Sequence, residues 1–301
     1  YIYPLHIAVM SGDQTCSSHS RHGLYWLRIV RSSSSLGTNL ARMYWELSKQ
    51  IPDTEAAALV ELDIDRTYPQ HILFRRKNGS GQKSLRRVLL CWVMYEKLTV
   101  LDGSRCGYVQ GMNMLVGQLL QHVNESLAFE IFVHLMMDAK YNLRANFQVG
   151  MKGTLEKCDD IHRLCKEYCP MLALQFEECG ILPVAYATEW VLTLYSYVLD
   201  GELLWKVWDM FFLYGWTFFN KFTVAILKRF EARVNLAFER ERDGLSRAPA
   251  DHMSQFYAGL KSIGSAGRRR SQQQYEQGIQ TEDIIDGLSA SEWISRAAAI
   301  S

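Results

Sequence analysis

The chain has 301 residues, of which 48% are hydrophobic and 22% are charged, and its 33 Lys and Arg residues nearly balance its 32 Asp and Glu residues. This composition is typical of a globular protein with a large core, and the balanced charge argues against a nucleic-acid partner. No apolar run reaches the roughly 18 residues that a membrane span requires.

Residues 1–20 are predicted to be irregular, and helical periodicity begins near Leu24. The next three predicted helices carry apolar residues at spacings of three and four, which places one face of each in the core. The expected core residues are Leu40, Met43, Tyr44 and Leu47; Ala58, Leu59 and Leu62; and Leu85, Val88, Leu89, Trp92 and Val93. The middle helix, residues 55–65, is closed by the turn Thr67-Tyr68-Pro69, because a residue before proline disfavours the helical conformation. Arg66 is therefore predicted to lie at a helix end.

The rest of the chain continues the helical pattern. A buried helix is predicted from Gly107 to Leu120, and its first residues carry Gln110. Later apolar stripes are expected to be core, namely Phe129, Phe132, Val133, Met136 and Met137; Leu203, Val207, Met210 and Phe211; and Val224, Leu227 and Val234. The remaining predictions are helix boundaries at Cys169-Pro170 and Leu182-Pro183, a loop at 264–274, and a last helix that begins with a capping box at Ser289 and buries Trp293.

Seven cysteines are scattered along the chain without paired Cys-x-x-Cys units. An odd count without zinc-type spacing favours buried free thiols and a reducing, cytoplasmic compartment. Cys165 and Cys169 lie four residues apart on a predicted helix, and His162 is the only further candidate ligand nearby. A metal site is therefore the weaker interpretation, and no metal or cofactor of the chain's own is expected.

Two short segments, Val60 to Pro69 and Tyr108 to Asn113, carry the residues of chemical interest. The first presents Arg66 at a helix end, and the second presents Gln110 before a glycine that lets the backbone bend. GTP hydrolysis most often uses these two side chains, an Arg to offset charge on the transferred phosphoryl group and a Gln to hold the attacking water. Structural roles remain open for both, since Arg66 could cap a helix C-terminus and Gln110 could bond a neighbouring turn.

Both segments resemble the two signatures of the TBC domain family, which are GTPase-activating proteins for Rab-type small GTPases. The family's Ile-x-x-Asp-x-x-Arg reads Val60-x-x-Asp63-x-x-Arg66 here, and its Tyr-x-Gln reads Tyr108-Val109-Gln110. The Val for Ile replacement lies on the apolar side of the motif. Further matches follow in the family's order: Arg66-Thr67-x-Pro69, Phe74, Gly107-Tyr108-x-Gln110-Gly111-Met112-Asn113, Tyr186-Ala187-x-Glu189-Trp190-x-Leu192-Thr193-Leu194, and Trp208-Asp209-x-Phe211-Phe212 followed by Gly215. The resemblance covers about residues 21 to 240 and, more loosely, the rest.

The resemblance implies an all-α fold, with a multi-helix TBC-type domain over residues 21–300. It implies two helical subdomains, about 21–150 and about 151–300. It also implies that Arg66 and Gln110 are donated as catalytic residues to a GTP-bound Rab-type GTPase, which brings GTP and Mg²⁺. The chain would then be a GTPase activator with no self-contained reaction. It would act in vesicle trafficking, cytoplasmic and peripheral at membranes that carry the partner.

Five residues around this pair are assigned supporting roles: Asp63, Thr67, Tyr108, Gly111 and Asn113. Asp63 lies one turn before Arg66 on the same helix face, so it could pair with the guanidinium or accept from a backbone donor. Tyr108 and Asn113 are expected to brace the helix, and Gly111 is expected to allow close approach of the partner's backbone.

Two other classes of function remain open. A non-catalytic Rab-binding scaffold of the same fold resembles family members in which one of the two residues is lost, and the presence of both Arg66 and Gln110 argues against it. A helical solenoid would show self-similarity at a period of about 33 to 45 residues, which this sequence lacks. A self-sufficient GTP hydrolase is disfavoured because no Gly-x-x-x-x-Gly-Lys phosphate loop is present.

Overall fold

The computed structural model describes residues 20–33, 36, 39–50, 54–199, 201–242 and 290–300, and for residues 233–242, 290, 291, 293 and 298 it describes the backbone alone. Within these ranges the chain forms helices and no β-strand, so the all-α class is confirmed. The described helices are α1 (Arg21–Ser33), α2 (Leu40–Leu47), α3 (Thr54–Ile64), α4 (Ser80–Thr99), α5 (Met112–Leu120), α6 (Glu125–Met137), α7 (Arg144–Phe147), α8 (Lys152–Tyr168), α9 (Pro170–Glu178), α10 (Pro183–Thr193), α11 (Gly201–Tyr214), α12 (Trp216–Arg242) and α13 (Ala290–Ala298).

The core of the first half forms where the apolar faces of α2, α4 and α6 meet. All five predicted core residues of α4 are buried, and the predicted faces of α2 and α6 also turn inward. The Trp92 ring on α4 meets the edge of Phe132 on α6 at a centroid distance of 5.5 Å. Burial of such aromatic surface contributes most of the stabilisation of these helices, because helices of this length are marginal alone.

The second half is arranged around α8, which contacts α7, α9, α10 and α12. Pro170 and Pro183 begin α9 and α10, where the missing N–H of proline costs no helical hydrogen bond, so both predicted boundaries are confirmed. The Glu231 carboxylate on α12 accepts hydrogen bonds from the backbone N–H groups of Met171 and Leu172 at 3.0 and 3.1 Å. A side chain from another helix thus satisfies the free donors at the start of α9.

Two sets of contacts join the first and second halves of the chain. Helix α1 packs on both α6 of the first half and α11 of the second half, and α5 packs on α10. At the first junction the Trp26 indole N–H donates to Asp209 Oδ1 at 2.6 Å, and His22 Nδ1 lies 2.9 Å from Asp209 Oδ2. Asp209 is buried on α11, so a polar network ties the first helix to the second half. The predicted subdomain division near residue 150 stays a prediction.

The core face of α3 differs from the predicted one. Ala56, Val60 and Ile64 are buried, whereas all three predicted core residues are exposed, namely Ala58, Leu59 (46%) and Leu62 (72%). The helix is apolar around most of its circumference, so spacing alone does not single out one face. The face that packs on α4 and α5 is the one that also carries Asp63, whose carboxylate accepts hydrogen bonds from Arg66 and Tyr108.

Four cysteines are buried with free thiols, Cys91, Cys158, Cys165 and Cys169, in agreement with the prediction, whereas Cys179 is exposed. Burial raises the pKa of both the Cys165 and Cys169 thiols to about 12, so they stay protonated at neutral pH. In the described ranges no group of three or more His, Cys, Asp and Glu side chains is placed to hold a metal ion. Among the same residues, no helix is both long and apolar enough to cross a bilayer.

Several predictions fall outside the described residues. They are the irregular segment 1–19, the loop at 264–274, the capping box at Ser289, and the burial of the Val234 and Trp293 side chains.

His122 lies between α5 and α6 in an aromatic cluster, and its ring centroid is 4.8 Å from that of Trp26. Its Nε2 is 3.1 Å from the Gln118 side-chain nitrogen, a donor, so Nε2 accepts and the proton sits on Nδ1, which contacts Ser20 Oγ at 2.6 Å. Burial, with smaller effects from His22 and His71, lowers the pKa of His122 from 6.5 to about 3.

This lowered pKa predicts acid sensitivity of the fold. Below pH 6.5 the unfolded chain binds a proton at His122 that the folded chain does not bind. The contribution of neutral His122 to the unfolding free energy is therefore complete above pH 6.5 and is lost progressively as the pH falls toward 3. We expect His122 to contribute a loss of up to about 1.4 kcal/mol in unfolding free energy per pH unit on acidification. Urea unfolding between pH 7 and 4.5 should show a shallower slope for His122→Asn than for the control His162→Asn on α8. Equal slopes would contradict the assignment.

Candidate functional site

One buried carboxylate joins the two signature segments. Asp63, 2% exposed, lies in the last turn of α3, and its Oδ1 accepts hydrogen bonds from both Nε and Nη2 of Arg66. Its Oδ2 accepts the hydroxyl hydrogen of Tyr108, 45 residues further along the chain. Of the two arrangements predicted for Asp63, pairing with the guanidinium is the one found. The shared carboxylate holds Arg66 and the Tyr108 segment next to each other.

The ionisation of these groups favours the arrangement. Burial, and then the hydrogen bond to the Asp63 carboxylate, raise the pKa of the Tyr108 hydroxyl. The phenol therefore stays protonated and can donate throughout the physiological range. Hydrogen bonds from Arg66 and Tyr108 compensate the buried negative charge, which would be costly if left alone.

A second set of hydrogen bonds runs beside the first. The Thr67 hydroxyl donates to the Asp63 carbonyl at 2.6 Å and accepts from Asn113 Nδ2 at 2.8 Å. Asn113 Oδ1 then accepts from the backbone N–H of Gly111 at 2.9 Å. The hydrogen bonds of Thr67 and Asn113 thus connect the turn after Arg66 to the backbone of Gly111, the residue after Gln110.

The helix predicted from Gly107 to Leu120 begins only at Met112 as α5. Gln110 therefore lies on the loop before this helix. Gly107 and Gly111 have positive φ angles, +64° and +108°, which interrupt a right-handed helix and favour glycine. A Cβ at Gly111 would lie 3.5 Å from Leu192 and Phe147 of this same chain, which is an ordinary van der Waals contact. Space is therefore sufficient for a side chain, and the positive φ angle is the reason that glycine is favoured at this position. Whether either glycine admits a partner's backbone stays a prediction.

Helix α5 supports the turn that follows Arg66 by unusually close packing. A Cβ at Gly117 would lie 2.9 Å from both the Thr67 methyl group and the Tyr68 ring. Tyr68 has a φ of +43°, and its hydroxyl lies 3.1 Å from the Met114 carbonyl oxygen and 3.3 Å from the Ser196 carbonyl oxygen. The turn therefore rests on the helix that follows Gln110.

Both candidate catalytic side chains face outward. The Arg66 side chain is 52% exposed, and its Nε–Nη2 edge is taken by Asp63, which leaves the Nη1–Nη2 end of the planar guanidinium open. Gln110 is exposed, and its amide makes no hydrogen bond within the described part of the chain. The site thus presents an oriented cation and an exposed amide on two segments that meet at Asp63, and such groups can bind oxyanions and orient a water molecule.

Residues outside both signatures hold the chain that leads into Gln110. Glu96, near the end of α4, accepts backbone hydrogen bonds from Cys106 at 2.9 Å and Gly107 at 2.7 Å. Arg144 Nη1 donates to the Ser104 carbonyl at 2.7 Å. Sequence reasoning does not find these residues, because they lie 14 residues before and 34 residues after Gln110 and carry no motif.

Comparison with known proteins identifies the family. A family model described as the Rab-GTPase-TBC domain matches residues 23–234. The chain belongs to this family. The TBC domain resemblance drawn from the two signatures is therefore confirmed.

Similar proteins come from several organisms. This TBC chain is 30% identical over 222 residues to the GTPase activating protein Gyp51 of Schizosaccharomyces pombe, covering 70% of this chain and 20% of that protein. It is 32% identical over 191 residues to TBC1 domain family member 4 of Mus musculus, covering 64% of this chain and 14% of that protein. The chain thus spans a fifth or less of the length of these relatives. The crystal structure of the Chlamydomonas flagellar RabGAP TBC domain matches with a TM-score of 0.54 at 19% identity, covering 82% of this chain and 78% of that one, which supports the fold.

The hydroxyl of Thr67 is expected to matter for the stability of this site. Thr67→Val keeps the shape but leaves the buried Asn113 amide without its acceptor, so we expect a loss of about 1–3 kcal/mol in unfolding free energy, measured in urea. The control is Thr99→Val at the exposed end of α4, where the hydroxyl donates to the Tyr95 carbonyl of its own helix. A Thr67 variant as stable as the Thr99 variant would contradict the role of the hydroxyl.

Proposed function

We propose that this TBC domain accelerates GTP hydrolysis by a Rab-type small GTPase, donating Arg66 and Gln110 in trans. One observation carries the proposal: both side chains are exposed, and their two segments are tied to one buried carboxylate, Asp63. Arg66 keeps one edge of its guanidinium on the buried Asp63 carboxylate while its side chain is 52% exposed, and Gln110 is exposed. The relatives, one named a GTPase activating protein and one a RabGAP TBC domain, support the same activity.

In the proposed mechanism the GTPase supplies GTP and Mg²⁺, and this chain supplies no cofactor. Arg66 enters beside the oxygen that bridges the β- and γ-phosphates, where its open Nη1–Nη2 end offsets the charge that develops on the phosphoryl group. Gln110 holds the attacking water in place of the GTPase's own Gln. An Arg supplied in trans is worth about 10³- to 10⁵-fold in rate, or roughly 4 to 7 kcal/mol of barrier.

The supporting residues act by fixing geometry. Asp63 sets the plane of the guanidinium before the partner arrives, and Tyr108 brings the Gln110 loop to the same carboxylate. Thr67 and Asn113 close the other side of the arrangement through Gly111. Positioning of this kind is effective because phosphoryl transfer leaves the protein little covalent chemistry to perform.

Exposed apolar side chains on the segments beside the pair suit the docking of a protein partner. Leu62 precedes Arg66, Ile72 follows it, and Val149 lies two residues after Phe147, whose ring packs near Gly111; the three are 72%, 73% and 97% exposed. Desolvation of such side chains around a charged centre favours association and excludes water from the reaction. The setting we propose is vesicle trafficking, in the cytoplasm and peripheral at membranes that carry the partner.

Single-turnover GTP hydrolysis by a panel of purified, GTP-loaded Rab-type GTPases tests the proposal. We expect acceleration of one or a few members. Arg66→Ala should reduce the accelerated rate by about 10³-fold or more, and Gln110→Ala should also abolish most of it. Arg66→Lys should be nearly as damaging, because Lys keeps the charge but lacks the planar fork that bridges two oxygens.

The controls are Arg28→Ala on α1 and Gln50→Ala after α2, which remove exposed side chains of the same types elsewhere. Near-normal activation by Arg66→Lys would contradict the bidentate role of the guanidinium. GTP-dependent binding without acceleration by the unmodified chain would favour the non-catalytic scaffold instead.

A further inference from the structure

We propose that Glu96 is a positioning residue for Gln110, and that Arg144 assists it. Both act on residues 104–107, called here the anchor segment, which leads directly into Tyr108 and Gln110. The inference rests on the proposed function, since it concerns how the Gln110 amide is kept in place. Neither residue belongs to a signature, and neither contacts a reacting group.

Glu96 is built into the fold as a backbone acceptor. Its side chain is 1% exposed, and each carboxylate oxygen takes one main-chain N–H of the anchor segment, Cys106 at 2.9 Å and Gly107 at 2.7 Å. The Cys106 thiol donates to the same carboxylate at 3.3 Å. A carboxylate that accepts from consecutive backbone donors fixes both the position and the direction of the peptide between them.

Further side chains hold two carbonyl groups of the anchor segment. The Ser104 carbonyl accepts from Arg144 Nη1 at 2.7 Å and from Gln148 Nε2 at 2.9 Å. The Gly107 carbonyl accepts from the Trp92 indole N–H at 3.0 Å. Arg144 Nη1 also lies 3.7 Å from Glu96 Oε1, so it compensates part of the buried charge while holding the chain.

The position of Gln110 depends on this anchoring because its own side chain supplies none. The amide is exposed and makes no hydrogen bond to the described residues, so the backbone alone sets where it points. Downstream the loop is fixed at Gly111 by Asn113, and upstream it is fixed by Glu96 through Cys106 and Gly107. Loss of the Glu96 hydrogen bonds would release the N–H groups of Cys106 and Gly107 and leave the anchor segment held through its Ser104 and Gly107 carbonyls.

Glu96→Gln is the sharpest change. Glutamine is isosteric, but its amide nitrogen is a donor, and it would face a main-chain N–H that is also a donor. The anchor segment must then shift or lose one of its two hydrogen bonds. A displacement of about 1 Å in a positioned group can cost about 100-fold in rate, so we expect the maximal accelerated rate to fall about 10- to 100-fold.

The matched control is Glu130→Gln. Glu130 on α6 is also buried, 2% exposed, and its partner is Arg31 on α1, away from the anchor segment. This variant should lose comparable or greater stability in urea yet keep the maximal rate. Arg144→Met, at a half-buried side chain, provides a second test that spares the core and should give a smaller fall in rate than Glu96→Gln.

Three readouts separate positioning from a general loss of structure. The first is single-turnover hydrolysis by a responsive GTPase at increasing TBC concentration, where Glu96→Gln should lower the plateau rate and leave the half-saturating concentration within about twofold, since the docking face is unchanged. The second is the double variant with Gln110→Ala, in which Glu96→Gln should cause no further loss. The third is amide hydrogen exchange, which should accelerate at Cys106 and Gly107.

The outcomes distinguish this inference from the proposed function. If the unmodified chain accelerates no GTPase, the proposed function is wrong and this inference falls with it. If the unmodified chain is active but Glu96→Gln keeps the plateau rate, as Glu130→Gln should, the inference alone is overturned. An equal loss in the Gln110→Ala background would also overturn it, because Glu96 would then act by another route.

Discussion

The arrangement of the site depends on the burial of one carboxylate, Asp63, between two segments distant in the sequence. A buried negative charge is stable only when its hydrogen bonds are made, and here Arg66 and Tyr108 make them. That requirement turns α3 so that Asp63 faces inward and Leu62 faces outward. It also brings the loop that carries Gln110 against the end of α3. The placement of both candidate catalytic residues follows from the need to compensate one charge.

Around this centre the helices provide a rigid frame rather than chemistry. Aromatic packing between α4 and α6 fixes the end of α4, from which Glu96 and Trp92 reach the chain before Gln110. Helix α5 has no side chain at Gly117, so it comes close enough to support the turn at Thr67 and Tyr68. Stability and function are connected here because the same helices bury the core and hold the loops.

The sequence predicts the helical class, most core faces and the proline boundaries, because apolar periodicity and the missing N–H of proline are local signals. The core face predicted for α3 is wrong, since a helix that is apolar on several sides has no orientation that spacing alone determines. The partners of Asp63, on the buried face, are not visible in that spacing. The sequence prediction also extends α5 back to Gly107, because periodicity does not register positive φ angles at Gly107 and Gly111. The two signature segments locate Arg66 and Gln110. The bonds from Glu96 and Arg144 are tertiary, so no spacing in the sequence reveals them.

The different restraint of Arg66 and Gln110 has a thermodynamic consequence. An Arg side chain carries about 2 kcal/mol of rotamer entropy, and the contact with Asp63 removes part of it when the chain folds. Among the described residues Gln110 has no such contact, so in the proposed complex an entropy cost of about 1.5 to 2 kcal/mol for ordering its side chain would fall on association with the GTPase. Arg66 is thus preorganised, whereas in the proposed function Gln110 would be ordered only in the complex with the GTPase. Calorimetry of complex formation would register the two side chains differently, because only the ordering of Gln110 contributes fully to the unfavourable entropy of binding.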